Sequence, residues 1–248
     1  MEEEWVSGNV KLKLFGEPVE MEMNVPANGV KLRRMLPIFQ AMTSSFVEVG
    51  ESAIAARGEE ISCRKGCGAC CRQAVPLSEM EAYHIRDLVE ALPEPRRAEV
   101  KKKFAEGFEH FFENGWFERM NEYGKMPYEK RVETVMEYFY EGIACPFLEE
   151  ESCSIHLSRP LICREYLVTS PPENCASPSA TTVKMLKLPV KVSESVRQFN
   201  RTEHFVPMIA ALAFAAKFPE DDTEKPGTEW MGEFFTHLAG QESSPQAN

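Results

Sequence analysis

The chain has 248 residues, 43% of them hydrophobic, enough to bury a sizeable core. Its 39 acidic residues outnumber 28 basic ones, and the formal charge of −11 argues against a broad basic face for nucleic acid or anionic lipid. No apolar run is long enough to cross a bilayer. The acidic start, Met1-Glu2-Glu3-Glu4-Trp5, lacks the basic region and apolar stretch of a secretion signal. No membrane insertion and a cytoplasmic location are therefore expected.

In chain order, residues 9–25 predict a β-hairpin. Val10, Leu12 and Leu14 alternate with Lys11 and Lys13, and Val19, Met21, Met23 and Val25 alternate with glutamates. Gly16-Glu17-Pro18 supplies the turn, and lysines facing glutamates across the pair support the register. Residues 30–57 predict a helix with Leu32, Met35, Leu36, Phe39, Met42 and Phe46 on one stripe. Pro37 either kinks that helix or starts it. The period then disappears between Gly58 and Val75.

Ser78-Glu79-Met80-Glu81 has the form of a capping box and predicts a helix to about Leu92. A second helix carries Val100, Phe104, Phe108, Phe111 and Phe112. A third begins near Pro127, carries Val132, Val135, Met136, Phe139 and Tyr140, and ends at Gly142. Residues 182–192 alternate weakly, as one or two short strands would. Two last helices are predicted over 203–217 and 228–238, joined by a polar linker. The expected fold is mainly α: a helical bundle with cysteine-rich loops and a small N-terminal hairpin. Its expected organisation is a hairpin and helix (1–58), a cysteine-cluster metal-binding domain (59–180), a helical extension packing on it (181–240) and a disordered tail (241–248).

Eight cysteines dominate the chemistry. Four disulfides would suit a small secreted domain that lacks a core, which this chain does not resemble. One or two cysteines could be inert buried groups, but four stand within nine residues: Cys63, Cys67, Cys70 and Cys71. The Cys67-x2-Cys70 pair lets two thiolates reach one ion around a tight turn, with Gly66 and Gly68 relaxing the backbone. Cys63 can add a third ligand. Cys70 and Cys71 are adjacent, and adjacent side chains diverge, which suggests a cluster, two nearby metals, or one ligand plus a reserve thiol. The second group is Cys145, Cys153, Cys163 and Cys175, with 73 residues between Cys71 and Cys145. The fold must bring the groups together if they share metal. Arg64, Lys65, Arg72, Arg159 and Arg164 crowd the cysteines; Arg159 and Arg164 are candidates to neutralise thiolates or donate to sulfur. His156 is a further possible ligand. Glu81 reads as a capping residue, and His84, His110, His204 and His237 have no partner spacing.

The motifs Cys67-x2-Cys70-Cys71, Leu77-Ser78 with Glu81, Cys145-Pro146-Phe147-Leu148, Cys153-Ser154-Ile155-His156 and Arg159-Pro160-Leu161-Ile162-Cys163-Arg164 occur in that order. Over residues 60–180 the chain resembles the YkgJ-like cysteine-cluster family, the CxxCxxCC zinc- or iron-chelating domain. Two departures stand out: Cys63 lies one residue farther from Cys67 than in the tightest pattern, and His156 stands where tyrosine is common. The resemblance implies metal chelation and no particular reaction.

All-sulfur ligation suits zinc, cuprous copper and iron–sulfur clusters alike; eight cysteines would divide into two four-coordinate zinc sites. The expected cofactor is zinc or iron, including iron as an iron–sulfur cluster. The expected function is metal binding for a structural, storage, delivery or sensing role. Alternatives are an iron–sulfur enzyme of redox or group-transfer chemistry, or an interaction scaffold stapled by zinc. Cys63-x3-Cys67-x2-Cys70 also spells the radical S-adenosylmethionine signature, but Ala69 stands where an aromatic is usual and no (β/α) barrel pattern follows. A metal ion is the one partner the sequence indicates; it identifies no protein partner.

Overall fold

The computed structural model describes residues 4–179, 181–201 and 206–242. It opens with two ten-residue antiparallel strands, β1 (Trp5–Leu14) and β2 (Glu17–Pro26). The turn is Phe15-Gly16, one position earlier than the sequence suggests, with φ of 53° and 88°, the backbone that matches a right-twisted hairpin. Lys11 faces Glu20 and bonds it at 2.6 Å, while Lys13 faces Pro18.

A short β3 (Gly29–Lys31) and a 3-10 turn (Leu32–Met35) lead into α1 (Leu36–Ala55). Pro37 lies in its first turn, where the missing N–H has no intrahelical partner to lose. The helix therefore starts at the proline and does not kink there. The expected stripe is the buried one, with Leu36, Phe39, Met42 and Phe46 at 3% exposure or less.

Beyond the first cysteines, β4 (Pro76–Leu77) precedes α2 (Glu79–Glu90), which opens on a complete Ser78–Glu81 capping box. Next come α3 (Arg96–Glu113), a short α4 (Trp116–Glu122) and α5 (Tyr128–Tyr140). Gly115, at φ 67°, turns the chain between α3 and α4 and lets Trp116 pack against Phe111 and Tyr138. The second cysteine segment carries β5 (Leu148–Glu149), β6 (Ser152–Cys153), α6 (Leu161–Glu165) and α7 (Pro172–Ala176). The chain continues through α8 (Val192–Arg197), β7 (Val206–Pro207), α9 (Ala211–Lys217), β8 (Glu224–Pro226) and α10 (Gly227–Glu242).

The protein is thus mainly helical with an N-terminal hairpin, as its sequence predicts. Every sheet among the described residues has two strands, so no (β/α) barrel is present there. Three local expectations change. Residues 182–192 form no strand pair beyond an isolated Val168–Met185 bridge; their alternation records burial of Leu186, Leu188 and Val190 along an extended segment. The helix expected over 203–217 is α9, after a 3-10 turn at Met208–Ala210. Before it, Val206 and Pro207 pair with β4, and residues 203–205 lie outside the described residues. Gln241 and Glu242 extend α10; the rest of the expected disordered tail, 243–248, lies outside the described residues.

The largest core joins the two ends of the chain. Leu14 and Val25 of the hairpin, Phe39 and Phe46 of α1, Val192 and Val196 of α8, and Trp230 and Phe234 of α10 bury together. Pairing of β3 with β8 closes the same face. A second core, around Ile85, Phe104 and Phe147, carries the second cysteine segment on α2 and α3. Among the described residues no helix is long and apolar enough to cross a membrane.

Candidate metal centre

The two cysteine groups, 73 residues apart between Cys71 and Cys145, meet in the fold. The Cys145 N–H donates to the Cys71 carbonyl at 2.7 Å. Ser62, just before the first cysteine, donates from its N–H to the Val168 carbonyl at 2.9 Å and from its hydroxyl to the Ser170 carbonyl at 2.5 Å. Val168 in turn donates its N–H to Cys63 Sγ at 3.4 Å. These bonds stitch the loop before α2 to both ends of the second segment.

The two glycines of the first loop do different work. Gly66 has φ 87° and needs a residue without a Cβ. Gly68 has an ordinary φ of −94°; a Cβ there would come within 2.5 Å of Leu148 Cδ1 and 3.0 Å of the Glu151 backbone. Space for the β5–β6 turn, not freedom to bend, is its reason. That turn is Glu150-Glu151, both with positive φ (48° and 55°), a backbone that non-glycine residues seldom adopt. Arg72, directly after Cys71, grips Glu151 through two bonds of 2.6 and 3.0 Å and donates to the Gly68 carbonyl. No local pattern marks Glu151 for this role, because its partner is 79 residues away.

Glu81 does more than cap α2. One carboxylate oxygen accepts from the Ser78 N–H and hydroxyl at 2.9 and 2.7 Å; the other accepts from the Leu161 N–H at 2.8 Å. The fully buried cap therefore also fixes the start of α6, two residues before Cys163.

Residues 62–182, about half of the chain, match the CxxCxxCC family model, described as "Putative zinc- or iron-chelating domain". This segment belongs to that family. No curated protein and no solved structure matches the chain. The CxxCxxCC segment contains all eight cysteines, together with Arg159 and Arg164.

Within the CxxCxxCC segment all eight cysteines are free thiols, seven half-buried and Cys175 buried; the disulfide alternative finds no bonded pair. The Val168 N–H donates to the Cys63 sulfur, and the backbone amides of Phe147 and Ile155 favour the thiolates of Cys145 and Cys153. Burial pushes Cys145 up to about 12 and Cys175 up to about 11, and raises Cys63, Cys153 and Cys163 as well. The adjacent pair splits: the Cys71 thiol donates to Cys70, lowering Cys70 to about 7 and raising Cys71. A raised thiol binds metal by exchanging its proton for the cation, so uptake by this set releases protons.

Arg159 is the basic residue most closely engaged with these thiols. Its charge favours the thiolates of Cys63, Cys70 and Cys153, and its buried Nε has no hydrogen-bond partner. Its Nη1 lies 2.9 Å from His156 Nε2. The pKa of His156 is lowered by partial burial of the ring, then by Arg159 and Arg164. Arg164 donates to the carbonyls of Arg159 and Leu157, which braces the loop between Cys153 and Cys163. Of the remaining histidines, His110 bonds Glu141 and His237 packs edge-on to Phe199; His204 lies outside the described residues.

Among the described residues no three His, Cys, Asp or Glu side chains already converge in metal-binding geometry. The thiols are gathered in the fold without being arranged around a point. Their chemistry nevertheless fits a soft or borderline cation: a set of thiols, an amide that donates to the Cys63 sulfur, and the Arg159 charge that favours the thiolates of Cys63, Cys70 and Cys153.

Proposed function

We propose that Cys63, Cys67, Cys70, Cys71, Cys145, Cys153, Cys163 and Cys175 are the ligands of a thiolate metal centre holding zinc or iron. In this reading the protein handles metal, in storage, delivery or sensing. The observation that carries the reading is that the fold brings two sequence-distant cysteine groups together beside the unpartnered Arg159 Nε. Zinc or iron bound by several thiolates leaves net negative charge, and Arg159 is placed to neutralise part of it.

A second reading is an iron–sulfur enzyme. The adjacent Cys70 and Cys71 favour a polynuclear site, which such a cluster would supply. Its chemistry would be redox or group transfer.

The deciding experiment is metal and sulfide analysis with an absorption spectrum on the full chain purified without air. Stoichiometric zinc in colourless protein supports the chelating reading. Iron with comparable acid-labile sulfide and a brown colour supports the second. Protein without bound metal, whose eight thiols all react freely in the folded state, overturns both.

A further inference from the structure

Helix α5 carries more apolar surface than the fold covers. Its residues Thr134, Tyr138 and Phe139 are buried, and Tyr138 anchors the helix against Phe111 and Trp116. Val132 and Met136 are only half-buried, and Tyr128 and Tyr140 are 51% and 63% exposed. These last four recur at every fourth residue and so lie along one face of the helix. Among the described residues, Val132 and Met136 join none of the apolar cores.

The residue after each member of this stripe is a glutamate: Glu129, Glu133, Glu137 and Glu141. Val132, Met136, Tyr140 and the four glutamates line an open groove of about 920 Å³, which Arg119 of α4 completes. Glu133, Glu137 and Glu141 pair with Lys130, Arg119 and His110. Those ion pairs are solvent-accessible, and each contributes little. Four carboxylates against two permanent cations leave the groove acidic.

We propose that this groove docks a basic amphipathic helix of a partner protein. The partner's apolar residues, spaced i, i+3 or i+4 and i+7, would face Val132, Met136 and Tyr140, with lysines or arginines beside the glutamates. The lining runs from Glu129 to Glu141, about 18 Å along the helix axis, which suits a helix laid lengthwise. Charge argues against two other occupants. A second copy laid antiparallel would set the glutamate row against its own image, and like charges face to face are unfavourable. An anionic membrane would be repelled by the same row. The groove also reaches the cysteine segment, because Tyr140 Oη donates to the Pro178 carbonyl, just after Cys175, at 2.9 Å. A helix seated here would lie beside the thiols, although its docking does not depend on what they hold.

The test is fluorescence anisotropy on the full chain with a labelled synthetic peptide of leucine and lysine, about four helical turns long. One version places leucines at helical spacing; a control of equal composition alternates leucine and lysine. The helical version is expected to bind at least about tenfold tighter than the control. Met136→Asp should weaken it at least about tenfold, while Phe112→Asp, at an exposed ring outside the groove, should leave it unchanged. Should Met136→Asp unfold the chain, Glu129→Lys combined with Glu133→Lys carries the same expectation at the surface. Equal binding of both peptides, no binding, or binding untouched by the groove variants overturns the proposal. So does a wild-type dimer in sedimentation that the groove variants dissociate, which would give the face to a second copy. Binding to phosphatidylserine vesicles that the same variants abolish would give it to a membrane and overturn the proposal as well.

Discussion

Around Phe39 and Phe234 the chain is held by apolar surface; around Cys70 it is held by hydrogen bonds and ion pairs between loops. Sixteen buried residues make up the core that joins hairpin, α1, α8 and α10, against three in the cluster around Cys175. Burial at about 25 cal/mol per Å² is the main favourable contribution in the first region. The loop that carries Cys63, Cys67 and Cys70 has little apolar surface to offset the entropy of its ordering, so much of its order must come from clasps such as Arg72–Glu151 and from whatever its thiols bind. The two regions should therefore respond to different perturbations.

The largest effect is expected from Phe234→Ala. This ring is fully buried and lies 4.9 Å from that of Phe39, so its loss should cost roughly 3–5 kcal/mol. Denaturant unfolding would show it, while metal content per folded molecule stays unchanged. Metal content falling in step with stability would show that the two regions are one cooperative unit. Glu81→Ala follows, at on the order of 3 kcal/mol, because it strands buried donors at Ser78 and Leu161. Unlike the Phe234 variant it should also weaken zinc retention, since it frees the segment that carries Cys163. Next comes metal removal. Chelation should speed amide exchange over residues 62–73 and 145–168 by about tenfold, or about 1.4 kcal/mol locally, and leave α1 and α10 protected. Uniform loss of protection would contradict the comparison.

The same division explains what the sequence reveals. The flanking core is written in local period and punctuation: the stripe of α1, its start at Pro37, the Ser78–Glu81 box and the lysine–glutamate hairpin can each be read from neighbouring residues. Where local signals mislead, a long-range contact has decided. Val190 and Val192 continue an alternating pattern, yet Val192 and Val196 sit one helical turn apart in α8 because that face packs on α1 and α10. The short α4 has too few residues to show a period, and its Trp116 is placed by Phe111 and Tyr138. At the cysteines, composition identifies the donors but not their neighbours. That Cys145 hangs on Cys71, that Gly68 is small for the sake of Leu148, and that Arg72 grips Glu151 all depend on contacts across more than 70 residues.

The smallest expected effect, a response to acid, separates the regions again. His84 of α2 faces an open cleft of about 600 Å³ beside Lys31, Arg33, Arg34, Glu220 and Glu224, and its buried Nε2 has no partner. Burial, and then the charge of Arg33, lower its pKa below the usual 6.5. The unfolded chain therefore binds a proton more readily than the folded one, so stability present above pH 6.5 is lost as pH falls through the folded value. His84→Gln should flatten this part of the profile when unfolding is measured in metal-free protein, in which thiolate protonation releases no metal. In metal-loaded protein a second acid-sensitive step, from proton competition at the cysteines, should survive the substitution. Wild-type and His84→Gln profiles that run parallel in metal-free protein would remove His84 from the acid response.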